Sequence, residues 1–457
     1  MLTGADPALG ALFLDVACAN CYCPLSQYIQ RSCHVCERSR SWEGAGIWTF
    51  TRSGTMAGSV VASRGTVVPH LAHAISNSEN KISSKYEGVG NTGRVLRWVW
   101  EGVTGSGAKK IVFKALDWLA ENYRPGDRII MIGYSRGGWK ACYLAKVIQA
   151  LGGLPKNGDQ ELYHNLYKRS SKSKVIRQHD VADVMHGYQV HKDVDIEALC
   201  LFDAVSSMGL PTTGIATPIA LIKGGWTRKD EVIMELPSNV QNAFSAVSLY
   251  ETRAPYASTL LRGRAASNGR LKQVAFAGNH GNLGWINKGN QNSLILAPLA
   301  WMIQQLHGLG IQFDTTVLDE YFSLAQSQPG THSWMKGSVF RAHGYEHLIG
   351  TAAPNPGRIV DSDGDAPAVE IHSTVRLRGY GRTPSDSAVP GYKLATEAGS
   401  HRWVRANESS SRRGTLLART WLIKSQRAEM QNSGRQAPVL EEALVGDLET
   451  RLLGLAP

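Results

Sequence analysis

The chain has 457 residues, 43% of them hydrophobic and 19% charged, with 12 Trp and 15 Tyr. That balance excludes a disordered or fibrous polymer and suits one large α/β domain with insertions, or two average domains. A net charge of +11 favours anionic surfaces or substrates in general without naming one.

The first 45 residues show no clear periodicity and read as a poorly ordered leader outside the core fold. Their apolar run, Ala8 to Ala19, is broken by Asp15 and lacks a basic leader, which argues against a signal peptide. No apolar stretch reaches the about eighteen residues of a spanning helix, so a cytoplasmic, reducing setting is expected. Five cysteines crowd this leader. Cys18/Cys21 and Cys33/Cys36 have the spacing of a tetrahedral zinc site. Cys23 is surplus to such a site and the Gly-rich knuckle of a zinc ribbon is missing. An unstructured leader, or a start placed too far upstream, is the preferred reading, and no metal or organic cofactor is assigned.

A short strand over Ile47 to Gly58 leads into the turn Arg52-Ser53-Gly54-Thr55, and Thr66 to Ser76 reads as a helix with Val67, Leu71 and Ile75 on one face. From Ala108, Ile111, Val112, Ala115, Leu116 and Leu119 recur at helical spacing until the turn Arg124-Pro125-Gly126-Asp127. A buried strand, Arg128 to Gly133, follows. After Ser135 a second helix runs from Gly138 to about Ala150 and stops at Gly152-Gly153. Helix, apolar strand, tight turn, helix is the pattern of a mainly parallel sheet flanked by helices, an α/β fold. Cys142 and Cys200 lie in apolar segments and read as small core residues.

The basic run Lys168 to Lys174, with Arg177 beyond it, reads first as a solvated loop and second as a phosphate contact. No aromatic interleaving supports nucleic acid, so none is expected as a partner. Ile196 to Phe202 reads as a strand ending at Asp203, and Leu271 to Ala277 as another ending at Gly278-Asn279-His280. Pro237 to Leu249 between them is expected to be helical. Leu299, Met302, Ile303 and Leu306 form a later helix face, ended by Gly308 and Gly310. A strand is expected over Val369 to Leu377 and a helix over Leu440 to Leu453. The catalytic core is placed at 46–315, with 316–457 as an extension packed on it.

The chemistry centres on Gly133-Tyr134-Ser135-Arg136-Gly137. A serine hydroxyl attacks well only when a base takes its proton. A sharp strand-to-helix turn lifts the serine above the sheet, and the small flanking residues let the chains pass closely. The same turn sets the Arg136 N–H at a helix N-terminus, where it can stabilise an oxyanion. The pentapeptide alone is a weak signal, and a structural Gly-rich turn is the competing reading. Its context, strand before and helix after, is the one that the motif requires. Asp203 and His280 sit at later strand ends in the order Ser, Asp, His, with His280 as base and Asp203 as its partner. His347 and His372 are rivals to His280.

These segments resemble a family of α/β-hydrolases of unknown function related to the catalytic domain of type VI secretion phospholipase effectors, its fungal branch especially. Tyr86-Glu87-Gly88-Val89-Gly90 is similar to its Tyr-x-Gly-Val-Gly segment, and 122–128 leading into 133–138 to its hallmark. Leu201 to Val205 resembles its Trp-Asp-Thr-Val stretch. Ala243 to Val247, with Glu251 and Arg253, resembles its Ala-Phe-His-Ala-Leu…Glu-x-Arg helix. Phe276 to His280 resembles its Phe-Pro-Gly-x-His strand end, and Ile371 to Arg376 a late His-Pro-Ser-Val-Arg element.

The family opens with an Asp-Gly-Thr turn, met here by Ser53-Gly54-Thr55, so the resemblance implies Gly54 and Thr55 beside Arg136 at the oxyanion hole. After His280 the family's Asp-Val-Gly-Gly is replaced by Asn282-Leu283-Gly284-Trp285. The resulting expectation is a serine hydrolase of carboxylic esters, with lipid or phospholipid esters implied by the resemblance alone. Peripheral contact with an anionic membrane is compatible with the charge. A non-catalytic scaffold retaining the fold is the alternative. Asp159 to Asp195 and Gly209 to Pro237 are the candidate lids.

Overall fold

A computed structural model of the chain describes residues 11–14, 65–75, 82–84, 106–156, 158–172, 176–205, 233–251, 256, 258–263, 269–286, 292–326, 333–339, 369–379, 389, 392–397, 400–405 and 440–455. Ten strands form the central sheet: β1 (Ala11–Leu14), β2 (Ile82–Ser84), β3 (Arg128–Tyr134), β4 (Ile196–Phe202), β5 (Val240–Ser248), β6 (Arg270–Phe276), β7 (Val369–His372), β8 (Tyr392–Glu397), β9 (Ser400–Arg405) and β10 (Leu440–Ala443). Their spatial order is β8-β9-β10-β7-β6-β5-β4-β3-β1-β2. All pairs from β10 to β2 are parallel; only β8–β9 and β9–β10 are antiparallel.

Parallel strands need crossover connections, and helices supply them. They are α1 (Val67–Ala74), α2 (Ser106–Asn122), α3 (Arg136–Leu151), α4 (Gln160–Lys172), α5 (Leu296–His307), α6 (Thr315–Gln326), α7 (Ser373–Gly379) and α8 (Asp447–Leu453). Helix α3 packs on β3 and β4 and is backed by α2; α5 packs on β4 and β5 and is backed by α8. From Ile129 to Tyr134 every residue of β3 is buried, so both of its faces are covered. One apolar core runs through the central strands and these helices, and a second cluster gathers Val247, Ala275, Ile371 and Trp403 towards the C-terminal edge.

Most expected elements form where the periodicity places them. The exceptions have physical causes. Val240–Ser248 is a strand, not a helix: it lies between β4 and β6 and is buried on both faces, so the alternation that marks a strand is lost. Leu440 to Leu453 divides into β10 and α8 at Gly446, whose extended backbone precedes the helix. Val369 to Leu377 likewise divides, with α7 beginning at Ser373. Ala11–Leu14, from the segment expected outside the core, is a strand paired in parallel with β3. The C-terminal residues do not merely pack on the core, because β7 and β10 continue its sheet. The expected strand over 47–58 and the four cysteines of the zinc spacing lie outside the described residues.

Within the first candidate lid, α4 is fixed to α2. The Lys109 ammonium donates to the Ser170 carbonyl, and Phe113 meets the Tyr167 ring edge-on at 6.3 Å. In the second, only 233–237 are described, where Ile233–Glu235 pairs with Leu260–Arg262. Of the basic run, Arg169 is ion-paired with Asp183. No helix among the described residues is long and apolar enough to cross a membrane.

Candidate active site

Because β3, β4 and β6 run in one direction, the turns that follow them open on the same edge of the sheet. Ser135 follows β3 with φ 57° and ψ −130°, a left-handed conformation uncommon for a residue with a side chain. Its backbone is pinned on both sides: the Ser135 N–H donates to the Phe202 carbonyl at 3.1 Å, and its carbonyl accepts from Gly138 and Val205, each at 3.1 Å. The glycines are required by contact. A Cβ on Gly133 would lie 2.6 Å from Gly138 Cα, and one on Gly138 would lie 2.6 Å from Ala204 Cβ.

Asp203 follows β4, also at positive φ (44°), and is fully buried. Its Oδ1 accepts from the Ser248 N–H at 2.8 Å and from the Ser258 hydroxyl, while Oδ2 faces His280 Nδ1 at 2.8 Å. Ser248 ends β5, the strand between the Asp203 and His280 turns, so β5 supports the carboxylate through its backbone. His280 follows β6, and its Nε2 lies 2.8 Å from Ser135 Oγ. With Oδ2 as acceptor, the imidazole proton belongs on Nδ1, which leaves the Nε2 lone pair for the serine hydroxyl.

The imidazole is held from every side described. Its ring stacks on Tyr134 at 4.9 Å, the Tyr134 hydroxyl donates to the His280 carbonyl at 3.0 Å, and Tyr256 lies 5.1 Å away. The His280 N–H donates to the buried Glu251 carboxylate at 3.1 Å. Gly284 lies against the Tyr134 ring, leaving no room for a side chain. Asn279 and Asn282 form a reciprocal capping pair around the short helix His280–Gly284. The Asn282 amide also donates to Asn292 Oδ1 at 2.9 Å and to the Ser338 carbonyl at 3.2 Å. The departure from the family's acid at this position therefore has a structural use, since a carboxylate has no hydrogen to donate.

At the other end of the elbow stand two cations. Burial lowers the Arg136 pKa, partly offset by Tyr256. Lys140, one turn further along α3, is fully buried, and burial first and Arg136 second push its pKa down to about 7. No described residue accepts a hydrogen bond from its Nζ.

The structure thus brings together Ser135, Asp203 and His280, with the Arg136 N–H at the start of α3 beside them. Gly54, Thr55 and His347 lie outside the described residues. His372 is placed elsewhere: its Nε2 meets Glu449 at 2.5 Å and its Nδ1 meets Thr374 Oγ1 at 2.8 Å, all three residues buried. Lys140, Tyr256 and Ser258 are not singled out by sequence patterns. A lysine among the buried apolar residues of α3 is the one available signal for Lys140. No cluster of potential metal ligands occurs among the described residues.

A helix-flanked, mainly parallel sheet with the Ser135, Asp203 and His280 turns at its strand ends defines an α/β protein of hydrolase-like architecture. Residues 52–305, more than half of the chain, match the catalytic domain of Tle1-like phospholipase effectors of the type VI secretion system (T6SS), and the chain belongs to that family. No curated protein matches. Among solved structures, the Tle1 effector bound to the VgrG spike of the type 6 secretion system aligns at 16% identity and TM-score 0.28, over 50% of this chain and 42% of that one. An uncharacterized protein from Pseudomonas aeruginosa aligns at 15% identity and TM-score 0.26, over 56% and 44%. The chain spans less than half the length of either.

Proposed function

We propose that the chain hydrolyses carboxylic esters of lipids, phospholipids included, with Ser135 as nucleophile, His280 as general base and Asp203 as its orienting partner. One observation carries the reading: the single imidazole of His280 bridges Ser135 Oγ and Asp203 Oδ2 at 2.8 Å each. Family membership supplies the lipid class. This chemistry needs no metal or organic cofactor.

In this mechanism Ser135 Oγ attacks the ester carbonyl carbon as its proton passes to His280 Nε2. The Asp203 carboxylate accepts from Nδ1–H and stabilises the imidazolium. The tetrahedral oxyanion is received by the Arg136 N–H at the N-terminus of α3, where the helix dipole favours negative charge. Gly54 and Thr55 would complete that hole. Collapse expels the alcohol, which receives the proton from His280 Nε2 and leaves an acyl group on Ser135. Water activated by the same imidazole then releases the acid. Glu251 contributes position by accepting from the His280 backbone N–H.

Fluorophosphonate labelling of purified wild type, Ser135→Ala and His280→Ala tests the assignment. Strong wild-type labelling, absent in Ser135→Ala and at least about a thousandfold slower in His280→Ala, is expected. Unlabelled, folded wild type would instead point to a scaffold that retains the fold.

A further inference from the structure

We infer that Tyr134, the central residue of the elbow, is a positioning residue of the hydrolysis. Its ring is the face on which the His280 imidazole is aligned and, once protonated, stabilised. The inference rests on the hydrolase reading above for its chemistry, and it assigns a role that neither the Gly-x-Ser-x-Gly turn nor the triad requires.

Hydrogen bonds alone leave the imidazole free to tilt. Its Nδ1 faces Asp203 and its Nε2 faces Ser135, at 2.8 Å each. The N–H and the lone pair of an imidazole lie in the ring plane, so two such bonds hold the ring at its ends and permit rotation about the line joining them. The Tyr134 ring removes that freedom. It lies 4.9 Å from the imidazole with 24° between the planes, whereas the Tyr256 ring, at 5.1 Å, is tilted by 45°. Of the two aromatic neighbours, Tyr134 is the one that presents a face.

Tyr134 is itself unable to turn away. It is fully buried, and its hydroxyl donates to the His280 carbonyl at 3.0 Å. Gly284 closes on the hydroxyl-bearing end of the ring: a Cβ there would stand 1.9 Å from Tyr134 Cζ. Tyr134 therefore grips one residue twice, at its backbone and at its side chain.

The alignment has an electrostatic consequence. As Ser135 attacks, His280 gains a proton and a positive charge, and Ser135, Asp203 and His280 are all buried. An aromatic face within about 6 Å attracts a cation, more strongly once both are out of water. The neutral imidazole gains far less from the same face, so the contact favours the charged state through which the reaction passes. The other groups around His280 do not duplicate it. Asp203 acts at Nδ1, Glu251 accepts from the backbone N–H, and Tyr256, a neighbour of the Arg136 cation, is tilted. Helix α1 also packs on the 280–284 turn, and its His70 and His73 are engaged with the Thr66 carbonyl and the Tyr321 hydroxyl.

The test compares full-length wild type with Tyr134→Phe, which keeps the face, and Tyr134→Leu, which removes it. Fluorophosphonate labelling is timed across the acid and neutral pH range. Tyr134→Phe is expected to label within about threefold of wild type, and Tyr134→Leu at least about tenfold more slowly. In Tyr134→Leu the rise of labelling rate with pH should also move down by about half a unit or more, because an imidazolium without the face gives up its proton more readily. In parallel, the ring C–H signals of isotope-labelled histidine are followed by NMR, with that of His280 identified by its loss in His280→Ala. The His280 signal should carry a ring-current shift in wild type and Tyr134→Phe that Tyr134→Leu lacks, and it should titrate at lower pH in Tyr134→Leu.

Slower labelling of Tyr134→Leu with an unmoved pH profile and an unmoved His280 titration overturns the inference, since a purely structural loss gives that result. Equal slowing of Tyr134→Phe and Tyr134→Leu with matching pH profiles overturns it as well, by placing the whole effect in the hydroxyl. If folded wild type does not label at all, the hydrolase reading fails, and the stabilising face stands or falls on the NMR titration alone. Should Tyr134→Leu fail to fold, Tyr134→Met replaces it in both measurements.

Discussion

Lys140 is expensive to keep, and its protonation shows how the cost varies with pH. Burial lowers its pKa from the ordinary 10.5 to about 7, with Arg136 adding to the effect. The unfolded chain holds its proton up to the ordinary value, so between about 7 and 10.5 it binds more protons than the folded one. Stability from this residue therefore rises with pH across that window and is lowest below it. At about 1.4 kcal/mol per unit, the cost near neutrality is on the order of 4 kcal/mol. Replacing Lys140 by Met should accordingly stabilise the protein at pH 6.5 by a few kcal/mol, and the gain should shrink towards pH 10. Denaturant melts of both proteins at the two pH values measure this. A gain of equal size at both would mean that the ammonium is not what burial penalises.

The His280 turn shows how far an element can be read from sequence. Asn282 replaces an expected acid, and pattern alone marks that as a loss. In the structure its amide donates to Asn292 Oδ1, and Asn292 cannot turn over, because its own amide donates to the carbonyls of Asn282 and Trp285. Asn282→Asp should thus set a buried carboxylate against a carbonyl oxygen, costing on the order of 2–4 kcal/mol, and should slow fluorophosphonate labelling of Ser135 by displacing His280. Thermal melts and labelling rates check the two effects, and wild-type values for both would rule out this role for the amide. Much of the candidate site is legible beforehand, since Ser135, Asp203 and His280 each end an apolar run that sequence marks as a strand. The supports are not. Ser248 acts through its backbone N–H, Ser258 comes from a distant loop, and β5 resembles a helix because both of its faces are buried. Periodicity reports exposure, and it falls silent where an element has no exposed face.

At the scale of the whole molecule the question is whether the C-terminal residues are an appendage or part of one cooperative unit. Sequence suggests an extension beginning near 316, because the periodic signal weakens beyond about Asp314 and 355–368 is rich in Pro, Gly and Asp. The sheet argues for one unit, since β7 pairs in parallel with β6 and β10 with β7. His372 ties the two ends of this region together. The Thr374 N–H donates to its Nδ1 at 3.2 Å, so the ring proton lies on Nε2 and is donated to Glu449 of α8. Helix α8 packs in turn on α5, which covers β4 and β5 beneath the Asp203 turn. Glu449→Leu removes the acceptor and leaves a buried ring N–H unpaired, at a cost of about 1–3 kcal/mol. In a single cooperative unit that cost is felt everywhere. The far-ultraviolet melt should shift down by a few degrees, and loss of Ser135 labelling should shift with it. Glu449→Gln, which keeps an acceptor oxygen, should fall between the two proteins. Labelling that persists above the Glu449→Leu transition would show instead that the catalytic core folds without β7, β10 and α8, and would restore the boundary near 316.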